Sequence, residues 1–212
     1  MSSNLAYLVY EAMTSGLSSV SIYFLDSNNN QHSAGVLVPS TGTYYYFDSS
    51  EAVYTATSFV IAVNGNTILS IPLNNVQKTA NTTIFVVVSL SITINLPGNL
   101  GTLVTQAIQA LFAGLTINLG CSATAYYTIT NTSTNQQSSG SVGLSFGLVN
   151  NSEFTASGSI SYSQNEVVSI TQIIISCSYA GVQENILTST LNSSQCTNPS
   201  GCTFTVTVTF TS

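Results

Sequence analysis

The sequence predicts an all-β protein, folded as a β-sandwich with one short amphipathic helix. Side-chain polarity alternates with a period of two along most of the chain, with Ser, Thr and Asn in the polar positions, and turn-forming pairs separate the alternating runs. The 212 residues suffice for one large sandwich or two small immunoglobulin-like sandwiches. A hydrophobic content of 44% provides material for a packed core, so disorder is not expected.

The alternating runs give the strands. The clearest is at the C-terminus, where Phe and Val alternate with Thr from Thr203 to Thr211. Asn64-Gly65 between two apolar runs predicts a hairpin with a type I′ turn, because both central residues of that turn need a positive φ. In chain order, strands are expected at residues 20–25, 35–38, 43–47, 59–63, 66–71, 83–96, 115–130, 141–149, 154–162, 167–179 and 203–211.

One segment has the helical period instead. Apolar residues from Leu100 to Leu115 recur at spacings of three and four, with Pro97-Gly98 before them and Gly114 near the end. A helix near 100–114 that caps a sandwich is favoured over a membrane-active peptide, because its amphipathicity is ordinary. The predicted organisation is a donor strand at 1–14, a first β-region at 15–97, the helix at 98–114, and a second β-region at 115–212, either separate from the first or continuous with it.

The scarcity of charge excludes several functions. Lys78 is the only basic residue apart from one histidine, and Asp and Glu number seven. Nucleic acids are not expected as partners, because their binding depends on Lys and Arg that neutralise phosphates. The longest apolar run, 84–96, is too short and too often interrupted to span a membrane. So few ion pairs leave little stability tied to carboxylate ionisation, which predicts tolerance of acid.

Catalysis is not expected, because acid–base groups are few. His32 lies in a polar segment, where a solvated histidine is the ordinary interpretation. Asp48 and Glu51 are close in sequence but are interpreted as a turn, not as paired catalytic carboxylates. Lys78 would suit an isopeptide crosslink if buried, but Val76–Asn81 is expected to be an exposed loop. The chain has no motif for a cofactor or a metal ion, so neither is expected.

Four cysteines predict two disulfides, and three pairings are available in principle. The turn-forming pairs Asn-Pro and Ser-Gly lie between Cys196 and Cys202, which favours a local bond there. Cys121 and Cys177 would then join two strands. Disulfides indicate an oxidising compartment, so an extracellular location is expected.

Four Asn-X-Ser/Thr sequons lie in expected loops. Ser and Thr are so frequent that this number of sequons would arise by chance. N-linked glycans are therefore expected only if the protein is extracellular in a host that glycosylates. The acceptor residues would be Asn81, Asn131, Asn150 and Asn192.

The strands point towards self-assembly. Soluble β-proteins guard their sheet edges with Lys, ion pairs or Pro, but this chain has four Pro and 4% charged residues. Edge pairing is controlled when an extended segment of one subunit completes the sheet of the next. The best donor is an N-terminal segment that is apolar on both faces, although its spacing also fits a short helix. It comprises Leu5, Ala6, Tyr7, Leu8, Val9 and Tyr10.

On these features the chain resembles a family of archaeal surface filaments. The chain is most similar to the thread filaments of thermoacidophilic crenarchaea, and in second place to the bundling pili of related archaea. The shared features are few Lys and Arg, alternating strands rich in Ser, Thr and Asn, sequons, and two expected disulfides. The resemblance covers the whole chain without a diagnostic motif. It implies a glycosylated, extracellular homopolymer linked by donor strands, for adhesion or cell–cell contact. Two alternatives stay open: a structural protein of an archaeal virus, and a carbohydrate-binding sandwich that uses Tyr44–Tyr46.

Overall fold

A computed structural model describes residues 4–178, 182–186 and 193–211. Antiparallel strands dominate it, together with two short helices, which confirms the all-β, sandwich-like fold. The chain forms two compact units. Unit 1 contains Ser15–Thr93 and Thr105–Asn118, and unit 2 contains the described residues within Ser2–Thr14, Ile94–Val104 and Leu119–Ser212.

The described helices and strands follow one another in chain order. They are α1 (Leu5–Thr14), β1 (Val20–Asp26), β2 (Gln31–Ser33), β3 (Gly35–Ser40), β4 (Thr43–Asp48), β5 (Tyr54–Val63), β6 (Asn66–Lys78), β7 (Ile84–Ser89), α2 (Gly98–Phe112), β8 (Cys121–Asn131), β9 (Gln137–Asn150), β10 (Glu153–Tyr162), β11 (Glu166–Cys177), β12 (Gln183–Ile186), β13 (Ser193–Gln195) and β14 (Cys202–Thr211).

Unit 1 consists of two antiparallel sheets around an aromatic core. One sheet has the strand order β2-β1-β5-β6 and the other β3-β4-β7. The ring of Tyr46 lies 4.8 Å from that of Phe59, which lies 5.4 Å from that of Phe24, measured between centroids. All three side chains are fully buried. The period-two pattern of each strand places alternate residues in this core.

The part of α2 that belongs to unit 1 anchors two tyrosines of β4. The hydroxyl of Tyr46 donates to the backbone carbonyl of Phe112 at 2.6 Å, and that of Tyr44 donates to Gln109 at 3.2 Å. Burial raises the pKa of both tyrosines, so they stay protonated and able to donate. Of the three consecutive tyrosines, only Tyr45 is therefore left on the outer face as a surface for stacking.

Two specific local predictions are confirmed, the turn at Asn64-Gly65 and the helix α2. Asn64 and Gly65 have φ angles of 49° and 81°, as a type I′ turn requires. The helix α2 occupies the segment where it was expected and ends at Phe112, and Gly114 follows it with a φ of 77°. Gly114 N–H bonds to Leu111 at 2.9 Å and Leu115 N–H bonds to Ala110 at 2.9 Å, which is a Schellman cap.

Two predicted strands are longer than the observed ones. The run at 83–96 forms a strand only over Ile84–Ser89, and the run at 115–130 forms one from Cys121 to Asn131. Residues 90–96 keep the alternating polarity but are not assigned to a strand. Alternation reports which side chains are apolar and says nothing about whether a partner strand lies alongside.

Unit 2 is built on one antiparallel sheet with the order β12-β11-β8-β9-β10-β14, and β13 also pairs with β11. The helix α1 packs on β8, β9 and β10. Its apolar residues recur at helical spacing and are buried in a single stripe. These residues are Ala6, Leu8, Val9, Ala12 and Met13.

The N-terminal segment is therefore a helix, and the extended donor strand predicted for Leu5–Tyr10 is not the conformation that the structure has. The sequence left both choices open, because the same apolar residues fit a strand that is buried on both faces and a helix with one buried face. Tertiary packing decides between them. A helix of ten residues gains most of its stability from the surface that it covers, here the sheet of unit 2.

Both predicted disulfides are present in unit 2. Cys121 and Cys177 lie directly opposite each other in β8 and β11, with their Cα atoms 4.0 Å apart. Cys196 and Cys202 close the short loop that leads into β14. One bond crosslinks neighbouring strands and the other fixes the start of the C-terminal strand.

Candidate functional site

Five ionisable side chains that are distant in sequence meet in unit 1. Asp26 ends β1, Asp48 ends β4, Tyr54 begins β5, Lys78 ends β6, and His32 lies in the short strand β2. We call these five residues the polar cluster. It contains the only lysine and the only histidine of the chain. Antiparallel pairing within one sheet brings four of them together, and Asp48 reaches them from the end of β4 in the other sheet.

Asp26 organises the turn between β1 and β2. Its carboxylate accepts hydrogen bonds from the backbone N–H groups of Asn28 at 2.8 Å and Asn30 at 2.9 Å, and from the Asn30 amide at 3.0 Å. The side chains of Asn30 and His32 are the main causes that hold the pKa of Asp26 well below its usual range. Burial acts in the opposite direction but is outweighed.

His32 is not the solvated loop residue that the sequence suggested. Its Nε2 lies 3.1 Å from Oδ2 of Asp26, and its side chain is 23% exposed. Its ring stacks on Tyr54, with the centroids 3.6 Å apart and the planes at 5°. The sequence-based interpretation is wrong because β2 pairs with β1, which places the ring between Asp26 and β5.

Lys78 is fully buried, so the expectation of an exposed loop at this position is wrong. Its ammonium donates to the backbone carbonyls of Ser50, Ala52 and Thr79. An ammonium has three N–H donors, and these three acceptors match them. The lysine thus holds the segment between β4 and β5 against the end of β6. Its Nζ contacts backbone carbonyls, and not the side chain of an isopeptide partner as considered from the sequence.

Asp48 provides the negative charge near this buried cation. Its Oδ1 accepts the N–H of Ser50 at 2.8 Å, and its Oδ2 accepts the hydroxyl of Tyr54 at 2.6 Å. Burial raises the pKa of Asp48, but the bonds from Tyr54 and Ser50 and the charge of Lys78 more than offset this effect, so the pKa is lowered. Burial and the bond to Asp48 raise the pKa of Tyr54. The carboxylate therefore stays ionised and Tyr54 stays protonated.

The contacts of the polar cluster are those of a stabilising network. Each charged member is occupied by turn amides, backbone carbonyls or a neighbouring member of the cluster. Buried charges need such partners, because leaving one without compensation is costly. Within the described residues, no group of three or more His, Cys, Asp and Glu side chains is placed to hold a metal ion.

The polar cluster makes stability depend on pH in the acid range. A lowered pKa in the folded state means that Asp26 contributes stability above its unfolded pKa near 4, and that this contribution is lost as pH falls further. We expect Asp26→Asn to be destabilising near neutral pH, with the difference from wild type shrinking progressively below pH ~4. Urea unfolding at a series of pH values measures this difference. Glu51→Gln, at an exposed acid, serves as the control, and a difference for Asp26→Asn that stays constant with pH would contradict the assignment.

The outer side of the sheet β3-β4-β7 is apolar and exposed. Leu37, Tyr45 and Val87 lie side by side across the three strands, and Phe47 lies beside Phe85 in the next row. We call these five residues the outer apolar face. Leu37 is 62% exposed and Phe85 is 65% exposed, while Tyr45 and Val87 are 39% and 44% exposed. None of the five is charged.

Gly35 makes room for the ring of Phe47 on the outer apolar face. Gly35 pairs with Phe47, and a β-carbon on Gly35 would lie 2.6 Å from the Phe47 ring. The aromatic ring therefore lies over the glycine backbone. Unit 2 repeats the arrangement, since a β-carbon on Gly140 would lie 2.6 Å from the ring of its partner Tyr127. Aromatic cover of a strand glycine stabilises a sheet that the glycine alone would weaken.

The described sequons lie at turns or strand ends. Asn81 is exposed between β6 and β7, and Asn150 is exposed at the turn between β9 and β10. Asn131 is half-buried at the end of β8, where its Oδ1 accepts the N–H groups of Ser133 and Thr134. Asn192 lies outside the described residues. The two exposed positions are the sterically open acceptors.

Comparison with known proteins identifies one strong similarity. The chain is 71% identical to "Uncharacterized protein 58" of Sulfolobus islandicus filamentous virus (isolate Iceland/Hveragerdi), over 212 residues that cover 100% of both proteins. No protein-family model matches the chain. No solved structure matches it either. Among the described helices, none is long and apolar enough to cross a membrane.

Proposed function

The chain belongs to the family of uncharacterized protein 58 of Sulfolobus islandicus filamentous virus, an archaeal virus, and on this premise we propose that it is a structural protein of a virus particle. Of the functions considered from the sequence, a structural protein of an archaeal virus is therefore the leading one. It places the protein outside the cell, on or in the particle, and gives it an assembly role in place of a catalytic one.

The outer apolar face is the observation that carries this proposal. Exposed apolar side chains that are contiguous on a sheet mark an interaction surface, because isolated soluble domains rarely leave such a patch in water. Four of its five residues are more than one third exposed. The face offers no charge that a partner would have to neutralise or desolvate. It therefore fits a permanent, apolar contact of the kind found between subunits of an assembly.

The polar cluster and the disulfides support the same role through stability. The ionisable groups best suited to acid–base chemistry are occupied in holding turns. The two disulfides suit a protein exposed to an oxidising exterior. Intracellular proteins of hyperthermophilic archaea also contain disulfides, so these bonds support durability more strongly than location. Glycans on Asn81 and Asn150 would suit an exposed location as well.

A surface filament is the second candidate, and the observation that favours it is the scarcity of charge at the strand edges. Polymerisation by donor-strand complementation, with the protein as its own partner, would require α1 to leave unit 2 and to become extended. The residues that would be exposed by this change are the buried stripe of α1. Donor-strand complementation would therefore cost the free energy of unfolding α1 and of exposing its buried stripe.

The proposed function predicts that the protein is a component of purified particles. Antibodies raised against the recombinant chain should label virions in electron micrographs, and the chain should be recovered from gradient-purified particles in a fixed ratio to other virion proteins. Antibodies against a host cytosolic protein provide the control. Label that is confined to infected cells and absent from purified particles would overturn the proposal.

The contribution of the outer apolar face can be measured separately by hydroxyl-radical footprinting. Tyr45 on that face and Tyr126 in unit 2 are 39% and 41% exposed, so their oxidation rates in the free chain should be similar. In intact particles we expect protection of Tyr45 to exceed that of Tyr126. Equal protection of the two tyrosines would mean that the outer apolar face is not the assembly surface.

A further inference from the structure

The last strand of unit 2 has an open edge. β14 pairs with β10 through ten consecutive residue pairs without a register shift, from Tyr162 with Cys202 to Glu153 with Thr211. Among the described strands, no other strand pairs with β14. On the side away from β10, alternate residues therefore present backbone N–H and C=O groups that a further strand could bind.

This edge lacks the devices that protect other edges of the protein. Pro39 lies in edge strand β3 and Pro72 in edge strand β6, and at the far end of the unit 2 sheet β12 and β13 have only four and three residues. β14 has ten residues and contains neither proline nor a charged side chain. A long and neutral edge without a bulge is a template for pairing with another strand.

The sequence of β14 specifies which strand fits. Residues 203–211 read Thr-Phe-Thr-Val-Thr-Val-Thr-Phe-Thr, which is the same in both directions about Thr207. An antiparallel copy centred on Thr207 places Phe204 opposite Phe210 and Val206 opposite Val208. Every residue would then face its own kind, with phenylalanine and valine on one side and threonine on the other. Cross-strand pairs of β-branched and aromatic residues are favourable.

We propose that β14 binds β14 of a second copy of this chain, antiparallel and with a twofold axis at Thr207. The pairing joins two unit 2 sheets into one continuous sheet. Nine residues on each strand would form about eight to ten backbone hydrogen bonds, which is the number in a typical protein interface. The contact is isologous, as a twofold dimer requires. It goes beyond the proposed function, because such a dimer can form in solution without a virus particle.

The charges near β14 are compatible with this partner. Glu153 is the acidic residue of the neighbouring strand β10, and it pairs with Thr211 at the end of β14. In the symmetric dimer Thr211 of one copy faces Thr203 of the other, so the two Glu153 residues lie at opposite ends. Eight residues separate them along the strands, which is roughly 27 Å at ~3.4 Å per residue. This distance exceeds the Debye length of ~8 Å at physiological ionic strength.

The half-buried residues of β14 also gain cover. Phe210 and Val206 are each 5% exposed, and the Phe210 ring stacks on Phe154 with centroids 4.8 Å apart. Phe204 and Val208 are only half-buried. In the proposed pairing each half-buried residue lies beside a buried one of the same type. The twofold pairing would thus bury more of the apolar surface of Phe204 and Val208.

Disulfide trapping tests both the partner and the register. With Thr207→Cys, the two cysteines lie directly opposite, within the Cα separation of ~4.4–6.8 Å that a disulfide allows. Thr205→Cys is the matched control, because its cysteine faces Thr209 of the other copy and lies about 14 Å from its counterpart. Under mild oxidation of the full chain we expect covalent dimers from Thr207→Cys and not from Thr205→Cys. Equal crosslinking of both variants, or of neither, would overturn the proposed pairing.

Sedimentation of the full chain tests the same edge without a new disulfide. The wild type should form dimers, and Thr207→Lys should shift the population to monomer by at least tenfold in dissociation constant, because two ammonium groups meet at the axis. Ser159→Lys, at an exposed residue of β10 that pairs with Thr205, controls for added charge on the same face and should stay dimeric. Circular dichroism confirms that each variant is folded. A monomeric wild type, or a dimer unaffected by Thr207→Lys, would refute the proposal and leave the virion assignment untouched.

Discussion

Removal of residues 1–14 is expected to unfold unit 2 or to leave it strongly destabilised. The buried stripe of α1 includes Leu8, Val9 and Met13, and burial of each such side chain is worth about 1.5–3 kcal/mol. Loss of the three, together with the sheet surface that they cover, removes on the order of 6 kcal/mol before the entropy of the freed segment is counted. Since whole domains are stable by about 5–15 kcal/mol, this loss is decisive.

The truncation should be followed by hydrogen exchange, which separates the two units. Amides of β8, β9 and β10 should lose protection, while those of β1 and β5 in unit 1 keep it. Within the full chain, Leu8→Ala should cost about 3 kcal/mol, because Leu8 is only 5% exposed, and Leu5→Ala at a half-buried position should cost less.

The same experiment distinguishes the helix from the donor strand. If Leu5–Tyr10 acted mainly as a donor, the truncated subunit would be no less stable than the full chain and would lose only the ability to polymerise. Unchanged protection of β8–β10 after truncation would therefore contradict the role assigned to α1. A truncated chain that loses this protection supports that role, and it means that donation would expose a large part of the unit 2 core.

The strands were predictable because their chemistry is local. The alternation in β14 and the Asn64-Gly65 turn are properties of a few adjacent residues, and the two disulfides followed from turn formers between Cys196 and Cys202. The conformation of α1 was ambiguous because its apolar residues fit both a strand and a helix. Only packing on the sheet of unit 2 selects the helix. Local pattern thus gave the fold class and left the N-terminal segment undecided.

The polar cluster could not be predicted, because its contacts depend on tertiary structure. Asp26, His32, Tyr54 and Lys78 have no common spacing, and a lone lysine in a polar run is normally exposed. Acid tolerance was expected from the lack of ion pairs, but the structure adds that Asp26 and Asp48 do link stability to pH. The outer apolar face had a signal in the sequence: Ile84–Val88 is apolar at every position, although β7 buries only one side.

Replacement of Lys78 is expected to be the most damaging single change in unit 1. Lys78→Met keeps a side chain of similar length but removes the three N–H donors that satisfy the carbonyls of Ser50, Ala52 and Thr79. It also leaves Asp48, itself only 4% exposed, without its neighbouring cation. A buried polar group that loses its hydrogen-bond partner costs about 1–3 kcal/mol, so we expect a loss of about 3 kcal/mol or more from the three carbonyls together.

A double-mutant cycle identifies how much of this loss comes from the pairing of charges. Asp48→Asn alone should also be destabilising, because the amide loses the charge that strengthens the bonds from Tyr54 and Ser50 and that acts on Lys78 at longer range. In Lys78→Met/Asp48→Asn neither unpaired charge remains, so the combined loss should be smaller than the sum of the single losses by about 1–3 kcal/mol. Urea unfolding of the three variants and the wild type, with hydrogen exchange of β5 and β6 as the local readout, measures this coupling. Strict additivity would show that Lys78 acts only through the backbone carbonyls, and that Asp48 stabilises its own turn independently.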